Sequence, residues 1–496
     1  MSIPAGQQDT AAFLRRLAGT DPIETHISAV FLGADTVWKL KKAVRLSFLD
    51  FTSTGARHHF AARELALNAP HAPGLYRDVV PIVRHADGTV GFGDADGPAV
   101  IDWVLRMARV PAGDFLDEIA AAGGLGPDLL DALADTVAAY HAALVPLPGA
   151  THDLRTVIEG NVRAALDTSL PPSRVQAWRD NVLAAYGGIA AWLDDRAARG
   201  FVRRAHGDLH LGNLCMWQGG PVPFDALEFD EALATIDLGY DLAFLLMDLE
   251  FRVGRAAANR VLNRYVARSG DADLVRGLPV FLSSRALIRA HVAARSGRDA
   301  EASAYLDAAD AYLEPSRVLL VAIGGLPGTG KSTLARAIAP TLGRPPGALI
   351  LRSDEIRKHR FGVAPEQRLP PEAYASDVSA AVFRTLAERA RTACGGGQVV
   401  IADATFMDPT HRVMVQQAAQ DAGVPFLGLW LCAPQPALEA RIAHRTHDAS
   451  DATIEVLRSA IQRDPGAGDW VQIDASDADS ARDLATAAVQ PHLVLP

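Results

Sequence analysis

Apolar and polar positions follow three patterns along the chain, and each pattern predicts a different kind of structure. In the first hundred or so residues, apolar positions alternate with polar ones, which is typical of half-buried strands. From about residue 112, apolar residues recur every three or four positions, which predicts helices. After about residue 315, short continuous apolar runs are separated by helical stretches, as in a buried parallel sheet. We therefore expect a strand-rich lobe, a helical lobe and an α/β domain, in that order.

The predicted elements follow from these patterns. Before residue 315, the strand patterns cover residues 25–31, 36–44, 79–84 and 97–107. The helical patterns there cover residues 9–18, 54–68, 128–144, 173–199, 233–266 and 271–313. After residue 315, the strand runs cover residues 317–323, 348–351, 398–401, 426–432 and 471–474. The helical patterns between and after them cover residues 333–341, 371–392, 436–446 and 480–489.

Chain length adds a division into domains. The chain has 496 residues, more than one compact domain usually holds. The change of pattern near Pro315 predicts a first domain over residues 1–315 and a second over residues 316–496. Within the first domain, the strand-rich lobe takes about residues 1–107 and the helical lobe about residues 108–315.

Charge and composition narrow the classes of partner. The formal net charge is −10, which argues against a nucleic-acid partner. The three cysteines are scattered without metal-binding spacing, and the N-terminus has no signal pattern. The apolar stretch Leu238–Phe251 contains three carboxylates, so no membrane span is expected there. These features predict a cytoplasmic protein that does not contact a membrane.

A glycine-rich motif at the first strand of the second domain predicts a nucleotide site. It matches G-x-x-x-x-G-K-[ST], and it lies between a strand pattern and a helical pattern, which is the context the motif needs. The backbone N–H groups of such a loop surround phosphate oxygens, Lys331 reaches the β- and γ-phosphates, and Ser332 holds Mg²⁺. The residues assigned to nucleotide binding are Gly325, Leu326, Pro327, Gly328, Thr329, Gly330, Lys331, Ser332 and Thr333.

A second chemical motif lies in the first domain. The stretch from His206 to Asn213 reads H-G-D-x-x-x-x-N, and an aspartate, Asp225, follows it by about a dozen residues. This pattern resembles the aminoglycoside phosphotransferase and choline kinase families, which have the protein-kinase-like fold. The resemblance implies that Asp208 is the base facing an acceptor hydroxyl and that Asn213 and Asp225 bind Mg²⁺.

The same resemblance assigns a nucleotide role to the strand-rich lobe. It implies that Lys39 pairs with the α- and β-phosphates of ATP and that Glu64, on the following helix, orients it. Lys41 is a competing choice for the lysine, because alternate residues of a strand share one face. A solvated edge strand would also explain these lysines. The lobe departs from the family because it has no clear glycine-rich loop over the phosphates.

The second domain resembles small P-loop kinases such as polynucleotide kinases, zeta toxins and gluconate kinase-like enzymes. The resemblance rests on R-S-D-E-I-R, residues 352–357, after the second strand run. It implies that Asp354 is the general base for a substrate hydroxyl and that Arg357 contacts the substrate or the γ-phosphate. Asp354 as a simple helix cap is the alternative. Asp403, which follows the next strand, is expected to hold Mg²⁺ through water.

The helical pattern over residues 436–446 completes the second site. It carries Arg441 and Arg445, four residues apart and therefore expected on one helical face. In small P-loop kinases this segment is a lid whose arginines close over the transferring phosphate. A surface helix with two basic residues is the alternative.

Together, the two resemblances cover nearly the whole chain. They imply an α+β protein-kinase-like two-lobed domain followed by an α/β P-loop domain with a parallel sheet flanked by helices. The expected function is an ATP- and Mg²⁺-dependent bifunctional phosphotransferase acting on a hydroxyl of a small molecule such as a sugar or amino sugar. One alternative keeps only the P-loop domain catalytic, with the first domain as a regulatory binding module. Another is a regulatory or toxin-type nucleotide-binding protein that acts on a macromolecule.

Overall fold

The computed structural model describes residues 2–46, 49–95, 99–147, 149–445, 448–463 and 468–493. Gly97 and Pro98 of the predicted strand 97–107, and Thr446 of the predicted helix 436–446, lie outside these residues. The chain forms two compact units. The N-terminal unit contains residues 1–136, 143–153 and 193–241, and the C-terminal unit contains the rest. This division follows internal contacts and differs from the domain boundary at residue 315, which stays a prediction.

The described residues contain strands β1 to β17, here in chain order. They are β1 Ile23–Glu24, β2 Ser28–Leu32, β3 Thr36–Lys41, β4 Arg45–Leu46, β5 Leu49–Asp50, β6 Tyr76–Arg84, β7 Val90–Phe92, β8 Val100–Ala108, β9 Val202–Arg204, β10 Leu214–Trp217, β11 Gly220–Pro223, β12 Thr235–Asp237, β13 Leu320–Gly325, β14 Leu349–Arg352, β15 Val400–Asp403, β16 Phe426–Cys432 and β17 Val471–Asp474.

Helices α1 to α19 connect and cover these strands. They are α1 Gln8–Ala18, α2 Thr54–Asn68, α3 Leu116–Ala121, α4 Pro127–Ala143, α5 Leu154–Leu166, α6 Pro172–Gly187, α7 Ala190–Ala198, α8 Glu231–Ala234, α9 Leu238–Arg252, α10 Arg255–Ser269, α11 Leu278–Arg295, α12 Asp299–Ala311, α13 Lys331–Ile338, α14 Ser353–Arg360, α15 Ser376–Gly395, α16 Pro409–Asp421, α17 Gln435–Ala443, α18 Ile454–Ile461 and α19 Ala478–Leu493.

The N-terminal unit is built on an antiparallel sheet with the strand order β1-β2-β3-β8-β6-β7. Strands β2 and β3 form the predicted hairpin, in which Val30 lies opposite Lys39. Helix α2 begins where the Ser53 hydroxyl accepts a hydrogen bond from the Ala56 amide, and its bounds are the predicted ones. The sheet places β3 between β2 and β8, so both edges of this strand are paired.

The C-terminal unit contains a parallel sheet with the strand order β14-β15-β13-β16-β17. Strand β13 pairs with β15 on one side and with β16 on the other, so the P-loop that follows β13 emerges from the middle of the sheet. All six residues of β13 are buried, which explains its continuous apolar run. Helices α13 and α19 contribute Ala335, Ile338 and Ala485 to the core beneath it.

The predicted fold class is confirmed by these two sheets. The antiparallel sheet with α2 and the following helices is the protein-kinase-like part, and the parallel sheet flanked by helices is the P-loop part. Strands β16 and β17 match the predicted residues 426–432 and 471–474. Within the described residues, no helix combines the length and apolar character that a membrane crossing requires.

Candidate active sites

Two lysines on one face of β3 meet one glutamate on α2. The Lys39 ammonium lies 2.7 Å from Glu64 Oε1, and the Lys41 ammonium lies 2.8 Å from Glu64 Oε2. Both lysines share this face because alternate residues of a strand point the same way. The structure therefore brings both candidate lysines to the same carboxylate.

The two lysines differ in their second partner. Lys39 pairs with Asp225 at 2.5 Å, whereas Lys41 pairs with Glu228, three residues further on. The side chain of Lys39 is 14% exposed and that of Lys41 is 2% exposed. These contacts link five side chains, alternately acidic and basic, which we call the lysine–carboxylate chain. In order they are Asp225, Lys39, Glu64, Lys41 and Glu228. Lys39 lies at its accessible end and Lys41 at its buried end.

The electrostatics of this chain favour the charged forms of Lys39, Lys41 and Glu64, whereas burial raises the pKa of Glu228. Burial alone would lower the pKa of Lys39, but Asp225 and Glu64 outweigh it and raise that pKa well above its ordinary value. Burial would raise the pKa of Glu64, but the two lysines lower it to about 2. A lysine held as a cation beside a carboxylate that orients it is suited to binding phosphate oxygens.

Asp225 is held by backbone contacts as well as by Lys39. Its amide donates to the Tyr76 hydroxyl at 2.9 Å, and the next amide, of Ala226, donates to Asn68 Oδ1 at 3.0 Å. Its φ of 59° lies in the left-handed region, which an aspartate tolerates better than most residues. The segment that follows β11 is therefore fixed at the residue predicted to bind metal.

The predicted catalytic loop brings Asp208 and Asn213 into direct contact. Asn213 Nδ2 donates to the Asp208 carboxylate at 3.0 Å and to its carbonyl oxygen at 2.9 Å. The buried carboxylate of Asp241 accepts from the amides of His206 and Gly207 at 3.1 and 2.9 Å. Burial lowers the pKa of His206, and its Nε2 lies 2.9 Å from the Phe224 carbonyl oxygen. His206 and Asp241 thus brace this loop.

The first site offers oxygens of the kind that Mg²⁺ prefers. Asn213 uses its Nδ2 in the contacts to Asp208, so its Oδ1 stays available to a metal ion. The Asp225 side chain is 40% exposed, and only its Oδ1 contacts Lys39. Magnesium commonly uses one or two protein oxygens together with phosphate oxygens and water. Asn213 and Asp225 therefore fit a Mg²⁺ ion carried by a nucleotide.

Glycines shape the P-loop because side chains would not fit. A Cβ atom on Gly325, whose φ is 137°, would lie 2.5 Å from the Leu431 carbonyl oxygen. A Cβ atom on Gly328, whose φ is 85°, would lie 2.8 Å from the Leu438 carbonyl oxygen. The turn also uses Thr329, whose hydroxyl donates to the Leu326 carbonyl oxygen at 2.8 Å. The loop then leads directly into α13, whose first residue is Lys331.

Lys331 and Ser332 begin α13 beside a carboxylate from β15. The Lys331 ammonium donates to the carbonyl oxygens of Gly325 and Leu326 at 3.0 and 2.9 Å. Burial lowers the pKa of Lys331, and the carboxylates of Asp403 and Asp354 oppose this effect. The Ser332 hydroxyl donates to Asp403 Oδ2 at 2.5 Å. This hydroxyl and carboxylate are the pair expected to hold Mg²⁺ directly and through water, and their contact fits that role.

Arg352 also contacts the carboxylate predicted for magnesium. Its Nε lies 3.2 Å from Asp403 Oδ2, and its other nitrogens contact Glu355 at 2.9 Å and Asp448 at 3.1 Å. Burial would lower the pKa of this arginine, but the three carboxylates raise it. Arg352 therefore balances the charge of the carboxylates around the P-loop, a role that the R-S-D-E-I-R pattern does not predict.

Asp354 lies on the first turn of α14, just beyond the carboxyl end of β14. Burial, with a contribution from Asp403, raises its pKa above the ordinary value for an aspartate. Arg357, one turn further on, donates to the Ala373 carbonyl oxygen at 2.5 Å and lies over the Tyr374 ring at 4.8 Å. A proton acceptor with a raised pKa at the end of a strand fits the role of a general base.

The two lid arginines do not share a helix in the structure. Arg441 is within α17, and its guanidinium donates to the carbonyl oxygens of Ala475 and Ser476, each at 2.9 Å. Arg445 lies beyond the end of α17 and donates to the Ser450 carbonyl oxygen at 3.3 Å. Its charge contributes to lowering the pKa of Lys331. The expectation that both lie on one helical face fails because the helix ends at Ala443.

A cavity of about 870 Å³ extends from the P-loop to Asp354 and Arg357, the residues expected to face the acceptor. Its lining includes Lys331, Asp354, Arg357, Arg441 and Arg445. A volume of this size accommodates a nucleotide phosphate tail and a small acceptor. Among the described residues, no group of three or more His, Cys, Asp or Glu side chains is arranged to bind a metal by itself. A metal here would therefore depend on nucleotide phosphates for some of its ligands.

We expect Asp354→Asn to raise stability at neutral pH while it removes the proposed base. Because the pKa of Asp354 is raised in the folded chain, its ionisation disfavours folding. Stability is therefore lost as pH rises from the ordinary aspartate pKa through the raised value, and an asparagine has no such loss. Thermal unfolding at about pH 4 and about pH 8 checks this, with a larger midpoint gain for the variant at the higher pH. Equal gains at both values would contradict the raised pKa.

Comparison with known proteins agrees with this geometry. Residues 320–464 match the family model described as an AAA domain. This range contains the P-loop, Asp354, Asp403 and both lid arginines. The C-terminal part of the chain is a P-loop domain. The matched range ends beyond α18 and lies within the C-terminal unit.

A relative and two solved structures place the chain among similar proteins. It is 28% identical over 468 residues to an uncharacterized protein of Mycobacterium tuberculosis, covering 91% of this chain and 90% of that one. A gluconokinase from Sinorhizobium meliloti is 20% identical over 36% of this chain and 97% of its own, with a TM-score of 0.26. A GDP complex of aminoglycoside 2'-phosphotransferase-IIIa is 16% identical, over 62% of this chain and 99% of its own, with a TM-score of 0.38.

Proposed function

We propose that this chain is an ATP- and Mg²⁺-dependent phosphotransferase with two active sites, each transferring the γ-phosphate to a hydroxyl of a small molecule. The observation that carries the proposal is that each unit brings together its own set of candidate groups for phosphoryl transfer. Each set pairs a lysine for phosphate with oxygens for a metal and an aspartate for the acceptor hydroxyl.

In the first site, Lys39 is the phosphate-binding lysine. It lies at the accessible end of the lysine–carboxylate chain and contacts Asp225, the proposed metal ligand. Lys41 is buried between Glu64 and Glu228, so it supports Lys39 instead of meeting the nucleotide. Asp208 then accepts the proton of the acceptor hydroxyl as its oxygen attacks the γ-phosphorus.

In the second site, the P-loop amides and Lys331 bind the phosphates, while Asp354 accepts the acceptor proton. As the new oxygen–phosphorus bond forms, the bond to the β-phosphate oxygen breaks and ADP leaves. Arg445, which lies close enough to influence Lys331, is the arginine better placed to stabilise the transferring phosphate. Magnesium, when bound with the nucleotide at Ser332 and Asp403, would neutralise phosphate charge.

Binding stoichiometry tests the two-site proposal without knowledge of the acceptor. We expect equilibrium dialysis with Mg²⁺ and a non-hydrolysable ATP analogue to give two bound molecules per chain. Lys331→Met and Lys39→Met are each expected to remove one of them, because each substitution removes the cation that pairs with the phosphate oxygens. If the wild type bound one molecule per chain and only Lys331→Met removed it, the first site would not bind nucleotide.

A further inference from the structure

Strand β14 lies at the edge of the parallel sheet, yet all four of its residues are buried. The opposite edge strand, β17, has three exposed residues of four. An edge strand normally leaves a row of amide and carbonyl groups facing water or a covering element. In the C-terminal unit, helix α10 covers the outer edge of β14.

Two asparagines one turn apart on α10 reach the edge of this strand. The Ile350 amide donates to Asn263 Oδ1 at 2.6 Å, and Asn263 Nδ2 donates to the Ala348 carbonyl oxygen at 3.3 Å. Asn259 Nδ2 donates to the same carbonyl at 3.0 Å. Asn263 Nδ2 also donates to Asn259 Oδ1 at 3.0 Å, which links the two side chains.

This arrangement imitates a neighbouring strand. The Leu349 amide faces inward and donates to the Val399 carbonyl oxygen, so the groups of Ala348 and Ile350 face the outer edge. A side-chain amide has the same donor and acceptor as a peptide group. The amide of Asn263 accepts from one outer group and donates to the other, as a sixth strand would.

Helix α10 also holds the chain on the far side of Asp354. The Arg268 carbonyl oxygen lies 3.1 Å from His359 Nδ1 on α14, and Arg264 pairs with Glu366 at 2.6 Å. Asp354 therefore lies between two places where α10 is hydrogen-bonded to the chain. A fixed position matters for a base, since a misplacement of about 1 Å can cost about 10²-fold in rate.

We propose that Asn259 and Asn263 are positioning residues of the P-loop site, because their amides complete the edge of β14 and hold the strand that leads into Asp354 on α14. The catalytic part of this inference rests on the proposed function of that site. It follows that the P-loop site depends on a helix that precedes the P-loop domain in sequence.

Hydrogen exchange in the full chain tests the structural part. In Asn263→Ala, we expect the Ile350 amide to exchange about five- to tenfold faster than in the wild type, as for the loss of one hydrogen bond. Asn263→Asp keeps the acceptor oxygen and should preserve most of the protection. The control is Ser283→Ala, which removes the buried hydroxyl between Trp178 and Ala309. Unchanged exchange at Ile350 in Asn263→Ala would overturn the proposal.

Kinetics with any small molecule that the P-loop site phosphorylates test whether the two asparagines position Asp354. We expect Asn263→Ala to lower the kcat of P-loop ADP release about tenfold or more while the Kd for the ATP analogue stays within about twofold. Combined with Asp354→Asn, it should cause no further loss, since both changes act through one group. An additive loss, or an unchanged kcat, would overturn positioning. Ser283→Ala should leave kcat unchanged.

If the wild type phosphorylates nothing, the proposed function fails, and exchange at Ile350 still decides whether the asparagines hold the strand.

Discussion

Lys331→Met is expected to lower phosphotransfer at the P-loop site by a factor of ~10²–10³, the usual cost of removing one preorganised group that stabilises developing charge. The reason is geometric. The ammonium lies partly buried at the start of α13 and, among the described residues, donates to the carbonyl oxygens of Gly325 and Leu326. Burial lowers its pKa by more than the carboxylates of Asp403 and Asp354 raise it, so an arriving phosphate adds counter-charge that this ammonium lacks. Acceptor-dependent ADP release measures the loss.

A matched control separates this effect from general damage. Arg482→Met removes an exposed cation from α19 in the same unit, where it pairs with the exposed aspartates Asp479 and Asp483. We expect its activity to equal that of the wild type, because exposed pairs contribute little. If Lys331→Met kept more than about half of the P-loop activity, the assignment of this loop as the phosphate site would be wrong.

Lys41→Met is expected to cost more stability than any other change in the N-terminal unit that we consider, by about 3–5 kcal/mol. It would leave Glu228 without its lysine and would leave Glu64 with Lys39 alone, both in a buried setting. The free energy of unfolding from urea titration, followed for the N-terminal transition, measures the change.

Lys39→Met provides the contrast within the same lysine–carboxylate chain. Here Glu64 keeps Lys41, and Asp225 is 40% exposed and can be solvated, so the loss of stability should be smaller. Activity at the first site should fall by ~10²–10³. A reversal, with Lys39→Met the less stable variant and Lys41→Met the less active one, would exchange the roles of the two lysines.

The sequence predicts well what is local. The P-loop and the H-G-D-x-x-x-x-N stretch are contiguous, and their residues come together because the loop itself brings them together. Helix α2 has the predicted bounds because its N-cap serine directly precedes its first residue, Thr54, and its helical spacing runs on to Asn68. The first strand of the P-loop domain was predicted over residues 317–323 but runs from Leu320 to Gly325. Pairing with β16 carries it through two glycines that by themselves indicate a turn.

The sequence does not predict contacts between distant segments. Nothing near Lys41 indicates a glutamate 187 residues away as its partner, and nothing near Asn263 indicates the Ile350 amide. The position of Arg445 outside the lid helix depends on where α17 ends, which apolar spacing does not fix. The one local signal was the shared face of Lys39 and Lys41, which placed the two lysines together but did not identify Asp225 or Glu228 as their partners.

The central claim is that the two units are separate phosphotransferases, and the most direct measurement is ADP release with a panel of sugars, amino sugars, aminoglycosides and nucleosides. The wild type is compared with Asp208→Ala and Lys331→Ala. The account predicts that each variant loses a different acceptor-dependent signal and keeps the other. If Lys331→Ala removed every signal and Asp208→Ala removed none, the first unit would not be a catalyst, and the two-site account would be contradicted.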